Sequence, residues 1–303
     1  MLSFLVRYSL PFMFFFALVG FFFPRVSAWV FPYLPYVLFS LMTLTLLSIK
    51  QSELMRRLSR LSVWLYALLH SLFFMVLVLG LSYFLPMSDD LLLAMLAIAA
   101  TGSLFATPAI VRALGFDHIQ AMAMTITTTL LLPINLSLAL LIKPIAEVGL
   151  DWETYLIRLV VFIFGPMAFS YLVHRLVPVV ILNRVLLTVS PYTILLVFAF
   201  PLGLVGSFRE MFDANMLHAM GYFLIALIIC LVFFVTAFLL YRKQGVEIAL
   251  SAAITSGNRN VLLTYSVAGV LLGPAFLPLA GALQIPTYLL PVITRWLHKS
   301  LLS

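Results

Sequence analysis

Thr255-Ser256-Gly257-Asn258-Arg259-Asn260 interrupts an apolar segment that runs roughly over 245–272. A guanidinium at membrane depth is costly and normally faces a pathway or a partner. Gly257 admits backbone angles that other residues resist. Asn258 and Asn260 bring donors and acceptors, whereas Arg259 brings donors alone and stays ionised. Two readings follow for Arg259. It locks carbonyls at a helix break, or it acts as a fixed cation that anchors an anionic substrate.

The surrounding chain makes membrane depth the right frame. Of 303 residues, 64% are hydrophobic and 9% are charged, with a mean hydropathy of +1.20. Soluble domains carry about 25% charged residues. Apolar runs reach about 20 residues without strand-like alternation, so the expected class is an all-α integral membrane protein rather than a barrel. The net charge of +7 is spread over loops, as topology-setting charge is, and forms no nucleic-acid-binding module. The single Cys230 excludes an internal disulfide and reads as a small packing residue. Residues 1–23 lack a small-residue cleavage site before Pro24-Arg25 and read as a first membrane helix, not a signal peptide.

Ten apolar segments are expected, near 4–23, 27–49, 62–86, 90–114, 116–142, 153–175, 184–206, 214–241, 245–271 and 274–298. With the N-terminus placed in the cytoplasm, 12 basic residues fall inside and four outside (Arg25, Lys143, Arg158, Arg209); Arg259 in the membrane completes the 17. Asp89, Asp90, Glu147, Asp151, Glu153, Glu210 and Asp213 fall outside. This asymmetry predicts a multi-pass protein with both termini cytoplasmic, as in a bacterial inner membrane. The stretch 51–59 reads as a basic amphipathic surface segment with Leu54, Met55 and Leu58 on its apolar side.

Segments one to five and six to ten make two halves. The interrupted segments are the fourth of each five, near 101–108 and 255–260. Five is odd, so the second half is inverted relative to the first. Broken helices at matching positions of inverted halves point to a transporter's binding site. At the first break Thr101, Gly102, Ser103 and Thr107 precede Pro108, which cannot donate and disrupts the preceding turn. Thr125, Thr127, Thr128 and Thr129 follow on the next helix. Membrane hydroxyls often bond back to their own helix, yet this cluster stands opposite a break. His70, mid-way along the third segment, is either a packed hydrogen-bonding residue or a proton carrier, since an ordinary imidazole titrates near neutrality. Asp117-His118 reads as a loop or helix cap rather than a proton relay. Phosphate-binding loops and paired membrane carboxylates are absent from the sequence, which argues against an enzyme or an ATP-driven pump.

The chain also resembles the bile acid:sodium symporter family, in the wider group of bile, arsenite, riboflavin and auxin-type carriers, over nearly its whole length. Phe39-Ser40-Leu41-Met42-Thr43-Leu44-Thr45-Leu46 is similar to the end of that family's second helix. Gly102-Ser103-Leu104-Phe105-Ala106-Thr107 through Gly115 resembles its first crossover. Glu247 through Gly269, with Gly257-Asn258-Arg259-Asn260-Val261-Leu262-Leu263, resembles its second. The resemblance implies ten transmembrane helices as two inverted five-helix repeats, with the fourth and ninth helices broken. A panel domain would comprise 1–49 and 153–206 (the first, second, sixth and seventh helices). A core domain would comprise 50–142 and 214–298.

The sequence departs from the pattern where the family binds sodium. Its Glu-x-Gly-x-Gln-Asn is replaced so that the glutamate falls on Thr255 and the glutamine on Arg259; Gly257 and Asn260 persist. Its Ser-Asn pair falls on Ala106 and Thr107, its fifth-helix serine and threonine on Ala121 and Thr125, and a third-helix glutamine on His70. Sodium about 4 Å from a guanidinium at an effective dielectric near 20 is repelled by on the order of 4 kcal/mol. Sodium coupling is therefore predicted to be lost or altered, with Arg259 filling part of that volume as a built-in cation.

The expected function is secondary transport of a small organic anion through the bilayer by alternating access, with no cofactor. The expected substrate and ion-binding residues are His70, Thr107, Thr125, Thr128, Thr255, Ser256, Asn258, Arg259 and Asn260; Thr255, Arg259 and His70 would mark the degenerate sodium site. A receptor or sensor on the carrier fold, and a proton-coupled efflux carrier of the auxin or arsenite type, are the alternatives.

Overall fold

The computed structural model describes residues 4–5, 8–49, 51–142, 152–189 and 192–302. These residues are almost wholly helical, and their only strand-like feature is one isolated bridge. The helices are α1 (Ser9–Phe22), α2 (Pro24–Leu47), α3 (Gln51–Leu58), α4 (Leu61–Ser82), α5 (Asp89–Ala100), α6 (Thr107–Ala113) and α7 (His118–Ile142). After them come α8 (Glu153–Leu176), α9 (Val179–Val189), α10 (Thr193–Ala214), α11 (Met216–Tyr241), α12 (Val246–Gly257), α13 (Val261–Ala268) and α14 (Phe276–Leu302). Seven of them, α2, α4, α7, α8, α10, α11 and α14, are long and apolar enough to cross a membrane. The chain is thus a helical membrane protein.

Local chemistry sets several helix ends. Ser88 accepts from the Leu91 N–H at 3.3 Å, and Asp89 and Asp90 occupy the positive first turn of α5. Asn215 caps α11 by accepting from the His218 N–H at 3.0 Å. Asp117 Oδ1 accepts from the Ile119 and Gln120 N–H groups, each at 3.1 Å, so the Asp117-His118 pair does cap α7. Pro24 and Pro108 sit in the first turns of α2 and α6, where a missing N–H costs nothing.

Three of the expected segments are described as follows. The segment expected over 184–206 is described as Val179–Val189 and Thr193–Ala214, with 190 and 191 outside the described residues. Val180 and Leu187 of α9 are 72% and 80% exposed, so this helix buries little of itself against the protein. In the first segment Phe4, Leu5 and Ser9–Phe22 are helical, and residues 6 and 7 lie outside the described residues. The stretch 51–59 is helical over Gln51–Leu58, with Leu54 buried and Met55 exposed. Arg7, Lys50, Lys143, Glu147 and Asp151, all used in the charge argument, lie outside the described residues.

The short helices α5, α6, α12 and α13 lie innermost. α5 packs on α4, α7 and α14; α6 packs on α7; α12 packs on α11, α14 and α7. From Leu92 to Ala100, and from Ala249 through Leu263, every residue is buried. On the other side α1 and α2 pack on α10, and α2 also packs on α8. Small residues let these backbones approach, as membrane helices require. Ser27 Oγ of α2 donates to Gly203 O of α10 at 2.9 Å. A Cβ at Gly281 of α14 would stand 2.7 Å from Leu204 O of α10.

Candidate functional site

Two helix breaks meet at the centre of the buried helices. α5 stops where Thr101 turns extended (φ −61°, ψ 138°), and α12 stops where Asn258 does the same (φ −87°, ψ 95°). The two extended stretches run antiparallel, with Ser103 opposite Arg259. Leu104 N–H donates to Asn258 O, and Asn260 N–H donates to Gly102 O, both at 2.9 Å. Backbone that would be an unsatisfied liability in lipid is thereby paired with its counterpart. Gly102 is required by a close approach. A Cβ there would lie 3.1 Å from the Thr129 backbone nitrogen, Cα and Oγ1 on α7.

Each bridge residue also serves the opposite half-helix. The last carbonyls of a helix are unpaired and carry its negative dipole end. Arg259 Nη1 donates to Ala99 O at 3.3 Å and Thr101 O at 3.0 Å, at the end of α5. Ser103 Oγ donates to Thr255 O at 2.8 Å, at the end of α12. The guanidinium lies 4.0 Å from the Phe233 ring centroid of α11 and 5.3 Å from that of Phe74 of α4. A desolvated cation–π contact contributes about 2 kcal/mol. Arg259 is 2% exposed, and no other Arg, Lys, Asp or Glu is buried among the described residues.

His70 belongs to the same cluster. It lies on a π-helical turn of α4, Leu69–Phe73, a widened turn of the kind often found at functional sites. Its Nε2 is 3.2 Å from Thr101 O. A carbonyl only accepts, so Nε2 carries the proton and Nδ1 faces the Tyr66 hydroxyl at 3.4 Å. Tyr66 OH also lies 3.1 Å from Ala252 O on α12 and donates to it. Thr101 completes the knot, because its hydroxyl donates to Ala97 O at 2.7 Å and meets Thr264 Oγ1 at 2.6 Å.

The remaining sequence-selected residues divide by partner. Thr107 Oγ1 accepts from Asn258 Nδ2 at 3.5 Å, across the two breaks. Thr128 Oγ1 accepts from Ser103 N–H at 3.0 Å while donating to Thr125 O at 2.9 Å. Thr255 bonds back to Ser251 O at 2.6 Å, and Asn260 Oδ1 caps α13 through Leu263 N–H at 3.3 Å. Thr127, outside that set, bonds back along its own helix. The Ser256 hydroxyl adjoins that of Tyr66, whereas the Thr125 hydroxyl, Asn258 Oδ1, Asn260 Nδ2, and Arg259 Nε and Nη2 are buried without a partner among the described residues. His70, Thr107, Thr125, Thr128, Thr255, Ser256, Asn258 and Asn260 are fully buried.

Sequence reasoning passed over Ser103 as a capping group and Tyr66, Phe74 and Phe233 as neighbours. Tyr66 was within reach, since it stands four residues before His70 on one helical face. Phe74 and Phe233 carry no such signal among the chain's 27 phenylalanines. Neither a scan against protein-family models nor a search of curated proteins returns a match for the chain.

Proposed function

We propose that the chain is a secondary carrier of the bile acid:sodium symporter type that moves a small organic anion by alternating access, without sodium as its coupling ion. The observation that carries this reading is the antiparallel pairing of two broken helices at Ser103 and Arg259. It is what two inverted five-helix halves produce when their broken members cross about an axis in the membrane plane.

Helix lengths support that equivalence. The 12 residues of α5 match the 12 of α12, and the 25 of α7 match the 27 of α14. α6 and α13, with seven and eight residues, complete the broken members. In this reading α1, α2, α8 and α10 form the panel, and the core rocks or slides against it. Both termini face the cytoplasm of a bacterial inner membrane. The site's chemistry sets the sign of the cargo. Its one buried formal charge is positive, with no buried carboxylate among the described residues to balance it. Arg259 and His70 fall on two positions that the family resemblance assigns to sodium, and both point their N–H groups at Thr101 O. Donors there replace the acceptors that a cation needs.

The test is uptake of a panel of labelled small carboxylates into proteoliposomes, against empty vesicles. Saturable uptake supports the carrier reading. Absence of uptake across the panel, with anion binding retained, would favour a receptor on the same fold.

A further inference from the structure

We infer that the Nε–Nη2 edge of Arg259 is a buried receptor for one carboxylate, so that the ligand's anionic group is a planar carboxylate rather than a spherical or cationic ion. This rests on the carrier reading only in treating that ligand as cargo. The guanidinium has two faces and two kinds of edge. Phe233 takes one face at 4.0 Å. Nη1 is spent on Ala99 O and Thr101 O. That leaves Nε–H and one Nη2–H, which project side by side in the plane of the group and have no partner among the described residues.

A parallel N–H pair is the shape that receives the two oxygens of a carboxylate. Leaving charged donors unpaired at 2% exposure is among the costliest arrangements a protein keeps. Asn260 Nδ2, on the neighbouring residue, is a further buried donor with no partner among the described residues. The orphaned groups on this short stretch are thus mostly able to donate, as an anion requires. Anchoring Nη1 to the end of α5 fixes the orientation of the free edge, so the fork is preorganised. A lysine would keep the charge and lose both the anchor and the fork.

The experiment uses the full-length protein in detergent, in sodium-free buffer. Potassium formate, acetate and benzoate are titrated against potassium chloride at matched ionic strength, and the thermal midpoint is read. A saturable rise is expected with at least one of the three carboxylates and not with chloride. Arg259→Lys should weaken the apparent affinity about 100-fold. Asn260→Asp keeps the Oδ1 that caps α13 but removes the free donor and adds a resident carboxylate. It should fold and lose the response.

The inference is overturned if the wild type responds to the carboxylates no better than to chloride, a result that needs no variant to fold. It is equally overturned if Arg259→Lys or Asn260→Asp responds as the wild type does. Saturable carboxylate binding without flux leaves this site standing and removes the carrier reading. Flux with no carboxylate-specific stabilisation does the reverse.

Discussion

Ser103 and Arg259 cap each other's helix. Facing one another across the antiparallel bridge, Arg259 serves the end of α5 through Ala99 O and Thr101 O, and Ser103 serves the end of α12 through Thr255 O. The two exchanges are unequal. Ser103 contributes one neutral hydrogen bond, about 1 kcal/mol net, so Ser103→Ala should lower the unfolding free energy by roughly that amount and leave flux within about threefold. A larger loss of flux with unchanged stability would place Ser103 in contact with cargo instead.

His70 shares the Thr101 carbonyl with Arg259, at 3.2 and 3.0 Å. Its ring acts there as a neutral donor, wedged between Thr101 O and the Tyr66 hydroxyl. A second positive charge in that place would be repelled by the guanidinium. Glutamine supplies a comparable N–H, so His70→Gln should retain flux within about threefold and leave its profile between pH 6 and 8 unchanged. His70→Leu should cost about 1–3 kcal/mol, because Thr101 O loses one of its two side-chain donors. Loss of a pH-dependent component of flux in His70→Gln would reinstate proton coupling through this residue.

The crossing tolerates bulk unequally on its two sides. A Cβ at Gly102 meets the Thr129 backbone, whereas a Cβ at Gly257 runs into the Leu290 Cδ1 methyl, the mobile end of a side chain. Gly102→Ala should therefore lower the thermal midpoint and flux together, beyond rescue by trimming a neighbour. Gly257→Ala should be rescued by Leu290→Val. Thermal midpoints of the two single variants and the double variant decide it; a rescued Gly102→Ala or an unrescued Gly257→Ala contradicts the packing described.

Orientation is open to a labelling test. Cys230 is the one cysteine of the sequence and is 1% exposed, so it should resist membrane-impermeant maleimides in intact membranes. In a Cys230→Ala background, Arg60→Cys should label only from the cytoplasmic side. Tyr83→Cys, at an 87% exposed position beyond the other end of α4, should label only from outside. Labelling of both from one side would overturn the topology.

Much of this architecture is written in local pattern. Apolar runs, Pro108 and Gly257 locate the buried helices and both breaks without tertiary knowledge. The positions of His70, Asn258 and Arg259 as polar residues inside apolar runs mark them for attention by energetic cost alone. What pattern does not carry is direction. Both Thr127 and Thr128 bond back to their own helix, and nothing local shows that Thr128 also accepts from Ser103 N–H across the break. The roles of Phe74 and Phe233 depend on which ring of an apolar helix faces inward.

The most direct test of the account is uptake of a carboxylate that stabilises the protein, measured in proteoliposomes with and without an inward sodium gradient. Replacing external sodium by potassium at constant membrane potential should leave the initial rate unchanged, because Arg259 supplies the only buried charge at the crossing. A rate that collapses when sodium is withdrawn would show that a cation does bind beside the guanidinium, and would contradict the account.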